Sequence, residues 1–428
     1  MHIIRFGSGA KVSPSSLGKS LSYAVILNGL SGVFLLVSGL LLATQLHARN
    51  RGVLATYTVW FNWSMLLGEF GFAASVTYFS ARDINFFRQA NILRKCMAFS
   101  SIFSLLISFF AFCVAAFTDW TAMASNDAFI FVAVPLCICF VVLPRALLQS
   151  LNSRLRNFAR LSQSISYFLA IAIGSYERHL TVKFALLSIV CSLAFEGLMV
   201  GIFLYTVDKD FETRHDRSTK AHGIVGFATA SFLTTLPIAI TVTLDQSLMS
   251  FLSNPEQLGI YALATSIAMA PVAAIASLGQ VLFPHVARSG ATSADSLLWR
   301  RSLKLSSSIC LIWGAMASLF LTFSSIETLR SEYSLVPILL LILAPGSAAL
   351  CAVYVLTDII RGLGYPKQTS RVHIGGSLIT AISLGVLLPK YGSVGAAFAS
   401  SFSYLVICFF LIKTLSRLLK AGNSLEIA

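Results

Sequence analysis

The feature that most constrains the fold of this chain is a series of long apolar runs that recurs along the whole sequence. An α-helix needs roughly 20 apolar residues to cross a hydrocarbon core about 30 Å thick. Stretches of that length, bounded by charged or turn-forming residues, predict twelve transmembrane helices. The fifth stretch is short and begins with polar residues. The predicted helices cover residues 21–44, 54–79, 96–117, 128–149, 161–176, 184–207, 224–251, 258–284, 305–324, 335–357, 371–389 and 392–414.

The composition excludes a soluble globular protein. Of the 428 residues, 56% are hydrophobic and only 11% are charged, and the mean hydropathy is +0.80. Such a chain has too little polar surface to fold in water. We therefore expect an all-α polytopic membrane protein. The eight cysteines lie in or at the edges of the apolar runs without metal-ligand spacing, so we expect them to pack, with no metal site and no cofactor.

The net charge of +14 suggests nucleic-acid binding at first sight, but the positions of the charges favour a membrane topology. If the N-terminus is cytoplasmic, the cytoplasmic segments carry most of the 31 lysines and arginines. The positive-inside rule then places both termini in the cytoplasm. No nucleic-acid partner is expected. The outer segments keep only Arg49, Arg51, Arg178, Lys183, Arg330 and Lys390.

The sequence also repeats itself at about half its length. The second and eighth runs both end in arginine, at Arg82 and Arg288, and aligning the two runs places Gly52 opposite Gly259. Such a repeat predicts two six-helix bundles in the same orientation, related by an axis along the membrane normal. The bundles would be residues 1–207 and 224–428, joined by the charged cytoplasmic linker 208–223. A cleft between two such bundles suits transport by alternating access.

Several segments, in this order, resemble a known family of membrane proteins. They are GVLATYTVWFNWSMLLGEFGFAASVTYFSAR (52–82), PEQLGIYALATSIAMAPVAAIASLGQVLFPHVAR (255–288), and IIRGLGYPKQTSRV with LLPKYGSVGAAFASSFSYL (359–405). They resemble the second, the eighth and the tenth to twelfth helices of the bacterial Wzx-type oligosaccharide flippases and polysaccharide exporters. That family is part of the multidrug/oligosaccharidyl-lipid/polysaccharide (MOP) superfamily. The resemblance implies a MOP/MATE-like fold.

The same resemblance implies a transporter rather than an enzyme. It would move a polyprenyl-pyrophosphate-linked oligosaccharide from the cytoplasmic to the periplasmic leaflet of the bacterial inner membrane, without hydrolysis and without a cofactor. The implied partners are this lipid-linked substrate, membrane lipid, H⁺ or Na⁺ as a coupling ion, and a polysaccharide polymerase or another export component.

Acidic and amide side chains inside the apolar runs are candidate pathway residues, because a charge in a bilayer persists mostly where it faces protein or water. Glu69 lies near the middle of the second run, with Asn62 on nearly the same face, and Asp245 lies in the seventh. Helices one, two, seven and eight line the cleft in the family that this chain resembles. That favours Glu69 and Asp245, together with Asn28 and Gln280, as cleft groups.

Each of these carboxylates also has a structural interpretation. Glu69 and Asp245 could simply hydrogen-bond a neighbouring helix, and Glu196 in the sixth run is expected to be a neutral or hydrogen-bonded packing residue. If Asp245 instead faces a cleft that fills and empties with water, it can take up and release a proton, and so couple an ion gradient to transport.

The cationic candidates lie near the cytoplasmic ends of their helices. Arg145 is close to the end of the fourth run, and Arg361 follows the tenth, three residues after Asp358, so that Arg361 and Asp358 can pair on one helix face. These arginines could be topology anchors whose heads reach the interface. They could also bind a pyrophosphate, because guanidinium offers paired donors to phosphate oxygens.

Three functions remain open on the sequence alone. The first is a lipid-linked oligosaccharide flippase, although lipid II is disfavoured as its substrate because residues 20–46 carry none of the first-helix cations found in lipid II flippases. The second is a multidrug antiporter of the same superfamily, whose cationic substrates Glu69 and Asp245 would attract. The third is a membrane enzyme, which would need a larger outer loop or soluble domain than this chain offers.

Overall fold

The computed structural model describes residues 14–82, 90–117, 129–209, 224–289, 293–363 and 365–425. Within these ranges the chain forms helices joined by short turns, with no β-strand. A π-helical turn, Ile138–Val142, joins the fourth helix to the fifth. The helices are α1 (Pro14–Glu69), α2 (Phe72–Arg82), α3 (Ala90–Phe117), α4 (Phe129–Cys137), α5 (Leu143–Leu151), α6 (Ser153–Tyr176), α7 (Val182–Lys209), α8 (Ile224–Leu252), α9 (Pro255–Ser289), α10 (Ser293–Thr322), α11 (Glu327–Ser331), α12 (Val336–Gly362) and α13 (Pro366–Leu425).

The helices identify a multi-pass membrane protein. Among the described residues, eight helical stretches are long and apolar enough to cross a membrane. Two of them, Val25–Glu69 and Lys367–Leu419, contain 45 and 53 residues. At about 1.5 Å per residue, each would extend to more than twice the thickness of a hydrocarbon core. Each breaks at one residue in the left-handed region, at His47 (φ 61°) and at Gly392 (φ 56°).

Each of the twelve predicted runs falls mainly on helix among the described residues. Several helices extend well beyond their run: α10 begins twelve residues before the ninth run, and α13 ends eleven residues after the last one. The fifth run falls on α6, which is not among the eight sufficiently apolar stretches. Two other runs are not the single helices that we predicted. The fourth contains the π-helical turn, directly before Pro144, whose ring nitrogen cannot donate a backbone hydrogen bond. The second is interrupted at Phe70 (φ 45°) and Gly71 (φ 74°).

The break at Gly71 has a packing reason. A Cβ atom at this glycine would overlap the carbonyl oxygen of Ala228 and lie 2.9 Å from the backbone nitrogen of Phe232, both on α8. The positive φ and the missing side chain therefore let the chain pass close against α8. Stacking of Phe70 on Phe232, with ring centroids 4.8 Å apart, extends the same contact.

A reciprocal glycine contact brings α1 and α9 together near His47. A Cβ on Gly52 would overlap the carbonyl oxygen of Pro255, and a Cβ on Gly259 would overlap the carbonyl oxygen of Ala48. Ala48 is four residues before Gly52, and Pro255 is four residues before Gly259. The two halves of this contact are therefore equivalent. The residues that the sequence repeat aligned thus lie face to face, as expected at a two-fold pseudosymmetry axis.

Hydrogen bonds reinforce this region, which we call the His47 end. The Glu332 carboxylate lies 2.6 Å from Nδ1 of His47 and accepts the backbone N–H of Ala48 at 2.8 Å. The Tyr333 hydroxyl donates to the carbonyl oxygen of Ala43 at 3.2 Å. Burial raises the pKa of Tyr333, so this hydroxyl keeps its proton. Trp60 also donates to the Ser250 hydroxyl, at 3.1 Å, which joins α1 to the end of α8.

The opposite end is organised differently. There α2 packs against α8, where Ser75 donates to the carbonyl oxygen of Ile224 at 3.3 Å and Tyr78 stacks on Phe227 at 4.4 Å between centroids. In the described part of the chain, α2 and α9 make no contact comparable to the one between Gly52 and Gly259. Among the described residues, α2 is therefore covered by α8 rather than by α9. The α1 helix still approaches α9 away from the His47 end, where a Cβ on Gly32 would lie 3.4 Å from the carbonyl oxygen of Ala270.

The apolar core is divided along the sequence. One cluster contains residues between Leu42 and Ala228 and includes Tyr57, Phe61 and Phe131. Another contains residues between Val272 and Leu415. A third is built mostly from residues 258–399, but Ala43, Ala48 and Ala55 of α1 also belong to it. The described core residues thus separate into early and late parts of the chain, which α1 connects at the His47 end.

The glycine contact can be tested by adding one methyl group. Gly259→Ala should lower the melting temperature of the detergent-purified protein by several degrees, because the new Cβ forces two backbones apart at a cost of about 1–3 kcal/mol. Gly385→Ala is the matched control, since nothing lies within 4 Å of a Cβ built there. This control should be neutral or stabilising. Equal melting temperatures for the two variants would show that the close approach is not needed.

Candidate functional site

Asp245 is buried between three helices. Its side chain on α8 is 2% exposed. Its Oδ2 accepts the Tyr261 hydroxyl of α9 at 2.5 Å and the Ser400 hydroxyl of α13 at 2.9 Å. Its Oδ1 accepts the backbone N–H of Gln246 at 2.7 Å. Both oxygens are therefore satisfied, which compensates for the loss of hydration that burial imposes on a carboxylate.

Glu196 forms an ion pair with Arg145. The glutamate on α7 is fully buried, while the side chain of Arg145 on α5 is 29% exposed. One guanidinium nitrogen, Nη1, lies 3.2 Å from Oε1 and 3.4 Å from Oε2 of the carboxylate. Glu196 is thus hydrogen-bonded inside the protein. The sequence analysis expected a neutral or hydrogen-bonded packing residue at this position. The sequence did not reveal that its partner is Arg145.

Glu69 lies where α1 ends and α2 begins. It is half-buried, and its carboxylate accepts the backbone N–H of Ala73 in the first turn of α2. An acidic group is favoured there, because the first N–H groups of a helix have no partner within the helix. Arg145 is its nearby positive charge. The structure therefore brings together two of the predicted site residues, Glu69 and Arg145.

Two further arginines lie beside this pair. Arg156 and Arg160 are half-buried on α6, and both are close enough to Arg145 and Glu196 to interact electrostatically with them. Nη1 of Arg156 donates to Oδ1 of Asn157 at 3.0 Å. Nε of Arg156 is buried without a partner among the described residues. We call Arg145, Arg156 and Arg160 the arginine cluster.

Sequence reasoning treated Arg156 and Arg160 only as cytoplasmic loop charges. The structure starts α6 at Ser153, eight residues before the predicted start of the fifth run at residue 161. Arg156 and Arg160 are four residues apart and therefore share one face of this helix. Asn152, whose Oδ1 accepts the backbone N–H of Arg154 at 3.1 Å, is the N-terminal cap that could have indicated this earlier start.

The remaining predicted site residues lie elsewhere. Asn28 is buried on α1, and Asn62 is exposed. Asp358 and Arg361 are half-buried near the end of α12, where they interact through space, but no direct ion pair joins them in the described chain. Gln280 lies outside the part of α9 whose side chains are described. Across the described residues, no group of three or more histidines, cysteines or acids could hold a metal ion.

The comparisons with known proteins agree with this architecture. A family model described as polysaccharide biosynthesis protein matches residues 17–289. The chain belongs to the polysaccharide biosynthesis protein family. Comparison with curated protein sequences gives no significant match.

Solved structures with the same overall fold are transporters. The lipid II flippase MurJ, in an inward closed conformation, is 15% identical with a TM-score of 0.59, over 93% of this chain and 87% of that chain. A variant of the Vibrio cholerae MATE transporter VcmN is 14% identical with a TM-score of 0.63, over 95% and 98%. An outward-facing multidrug resistance MATE transporter of the MOP superfamily is 15% identical with a TM-score of 0.62, over 95% and 97%.

Family and fold together make this chain a multi-pass membrane protein of the polysaccharide biosynthesis protein family, with the overall fold of the MurJ and MATE transporters. This confirms the family and the MOP/MATE-like helical fold that the sequence predicted. The identities of these structures are too low to carry a substrate or a site residue from them to this chain.

The Arg145–Glu196 pair can be tested by removing one partner at a time. Arg145→Ala should destabilise the protein by about 3–5 kcal/mol, because it leaves Glu196 buried and unpaired. Arg145→Ala combined with Glu196→Ala should recover part of this loss. Glu177→Gln, at an exposed position of the same bundle, is the control and should change nothing. Melting temperatures in detergent give the comparison, and additive losses in the double variant would exclude a coupled pair.

Proposed function

We propose that this protein is a flippase for polyprenyl-pyrophosphate-linked oligosaccharide repeat units in the synthesis of a cell-surface polysaccharide. Two six-helix bundles, residues 1–207 and 224–428, joined by linker 208–223, would rock against each other. The lipid-linked unit would pass from the cytoplasmic to the periplasmic leaflet of a bacterial inner membrane. A polysaccharide polymerase would be the natural partner to receive it.

In this proposal twelve helices cross the membrane and both termini are cytoplasmic. The distribution of lysine and arginine along the sequence supports this orientation. The His47 end would then face the periplasm. The arginine cluster, which lies near the turn between α5 and α6, would be on the cytoplasmic side.

The reciprocal Gly52–Gly259 contact is the observation that carries the proposal. A contact about a pseudo-two-fold axis lets two similar bundles rock without distorting either one. The close packing at the His47 end, with no comparable contact between α2 and α9 among the described residues, supports a pathway that is closed towards the periplasm. Access would alternate when this contact opens and the cytoplasmic side closes.

The charges favour an anionic substrate over the cationic drugs of a multidrug antiporter. Asp245, which was expected to attract such a cation, already accepts three hydrogen bonds. Glu69 lies beside Arg145, and the arginine cluster places three cations near two carboxylates. A pyrophosphate fits this surplus of positive charge, whereas a cation would be repelled.

The most direct cellular test is deletion of the gene. A strain without this protein should accumulate lipid-linked repeat units on the cytoplasmic leaflet and lose the surface polymer, and a plasmid copy should restore both. Mass spectrometry of extracted lipid-linked glycans also identifies the sugar. Normal polymer with no accumulated intermediate would refute the proposed function.

Closing the His47 end covalently should block transport. We expect a variant with His47→Cys and Glu332→Cys, in a background without the native cysteines, to lose flipping when a short thiol crosslinker joins the two positions. A linker with a reducible spacer should restore flipping after reduction. Because the protein is compared before and after crosslinking, any effect of the substitutions themselves cancels. Unchanged flipping in the crosslinked protein would contradict alternating access at this end.

Asp245→Asn tests whether Asp245 couples an H⁺ or Na⁺ gradient to the return of the empty carrier. Asparagine keeps the size of the side chain and one acceptor oxygen, but it cannot titrate. We predict normal membrane abundance, strongly reduced flipping in reconstituted vesicles and loss of any dependence on an ion gradient. Tyr261→Phe, which removes one donor but leaves the carboxylate, is the control for the hydrogen-bond network. If Asp245→Asn flips like wild type with the gradient dependence intact, Asp245 is structural.

A further inference from the structure

The arginine cluster contains more positive charge than the surrounding protein neutralises. Its helices α5, α6 and α7 pack against one another, which holds the three guanidinium groups in one region. The nearby carboxylates are Glu196, which is paired with Arg145 and also interacts through space with Arg156 and Arg160, and Glu69, whose nearby positive charge is Arg145. Arg156 and Arg160 form no direct ion pair with a carboxylate among the described residues.

Arg156 shows the lack of a counter-charge most directly. Its Nη1 is bonded to the neutral side chain of Asn157, and its Nε is hidden from solvent without a partner in the described chain. A buried guanidinium donor without an acceptor is costly, and close like charges add to that cost. Such an arrangement is maintained where an anion binds during function.

Topology anchoring does not explain these two positions. A snorkelling arginine extends its guanidinium into water at the interface. Arg154, two residues before Arg156 on the same helix, is exposed and satisfies that role. Arg156 and Arg160 are instead half-buried on one face of α6, close enough to Arg145 and Glu196 to interact electrostatically with them.

We infer that Arg156 and Arg160, together with Arg145, form the binding site for the diphosphate group of a polyprenyl diphosphate lipid. The inference rests on the proposed function and names the part of the substrate that this cluster recognises. Arginines four residues apart on a helix have Cβ atoms about 5–6 Å apart, so their side chains can converge on adjacent phosphates. Guanidinium binds phosphate oxygens through paired N–H donors, which lysine cannot reproduce.

The ion pair with Glu196 gives Arg145 a separate role in this site. It ties Arg145 to α7, so that the guanidinium keeps its position while Arg156 and Arg160 approach the ligand. Glu69 places a negative charge beside Arg145. A diphosphate would therefore interact chiefly with the two arginines of α6, which makes them the determinants of affinity.

Binding to the purified full-length protein in a neutral detergent tests the inference. The probe is polyprenyl diphosphate, compared with polyprenyl monophosphate, inorganic pyrophosphate and phosphatidylglycerol. Substitution of both residues, R156Q with R160Q, should weaken polyprenyl diphosphate binding at least tenfold, because two charge-assisted contacts are lost. R154Q is the matched control and should bind like wild type. Replacing both residues by lysine should restore only part of the affinity.

The competitors identify the recognised group. Inorganic pyrophosphate should displace the lipid from wild type, whereas phosphatidylglycerol should displace it poorly. Equal displacement by phosphatidylglycerol would overturn the inference in favour of a general lipid headgroup site. The single variants R156Q and R160Q provide the same test if the double variant does not fold. Unchanged affinity in both folded single variants would also overturn it.

The binding-site inference and the proposed function can fail independently of each other. If wild type flips the lipid-linked unit in vesicles but the α6 variants bind and flip normally, only the binding-site inference fails. If wild type flips no lipid-linked unit, the proposed function fails whatever the binding measurements show.

Discussion

The close approach of α1 and α9 at Gly52 and Gly259 is the contact on which the rest of the arrangement depends. Gly52 leaves room for the carbonyl group of Pro255, which is four positions before Gly259. Gly259 leaves room for the carbonyl group of Ala48, which is four positions before Gly52. No other residue could occupy either position without moving the helices apart. The contact is reciprocal, as the proposed two-fold relation between the early and late helices requires. The bonds from Glu332 and Tyr333 to the nearby turn of α1 then stabilise the same end.

The polar groups inside the bundle follow from the cost of burying charge. Asp245 is surrounded by donors from three helices, and Glu196 is paired with Arg145. These two carboxylates are compensated within the protein. Arg156 and Arg160 are not compensated in this way among the described residues. The contrast separates these two carboxylates, which the fold satisfies itself, from the two arginines of α6, which an anionic ligand would satisfy. It also supports the proposed anionic lipid substrate over a cationic drug.

The sequence predicted the positions of the helices well, because the length of an apolar run is a local property. It also aligned Gly52 with Gly259, since a repeat can be read without knowing the fold, but it did not predict their contact. The interruption at Phe70–Gly71 was missed because it depends on the close passage of α8. The partners of Asp245 were missed for a similar reason, as Ser400 is 155 positions away. The arginine cluster was missed because the first turns of α6 are polar, so hydrophobicity alone placed the helix start too late.

If the two bundles rock so that the glycine contact opens, distances at the two ends of the molecule must change in opposite directions. Electron–electron resonance in lipid nanodiscs can measure this with one label pair at Asn50 and Glu256, exposed near the His47 end, and another at Ser153 and Lys367, exposed at the opposite end. Lipid-linked oligosaccharide should lengthen the first distance and shorten the second in a fraction of the molecules. Distances that stay unchanged with a transported substrate, or that lengthen together, would contradict the rocking mechanism.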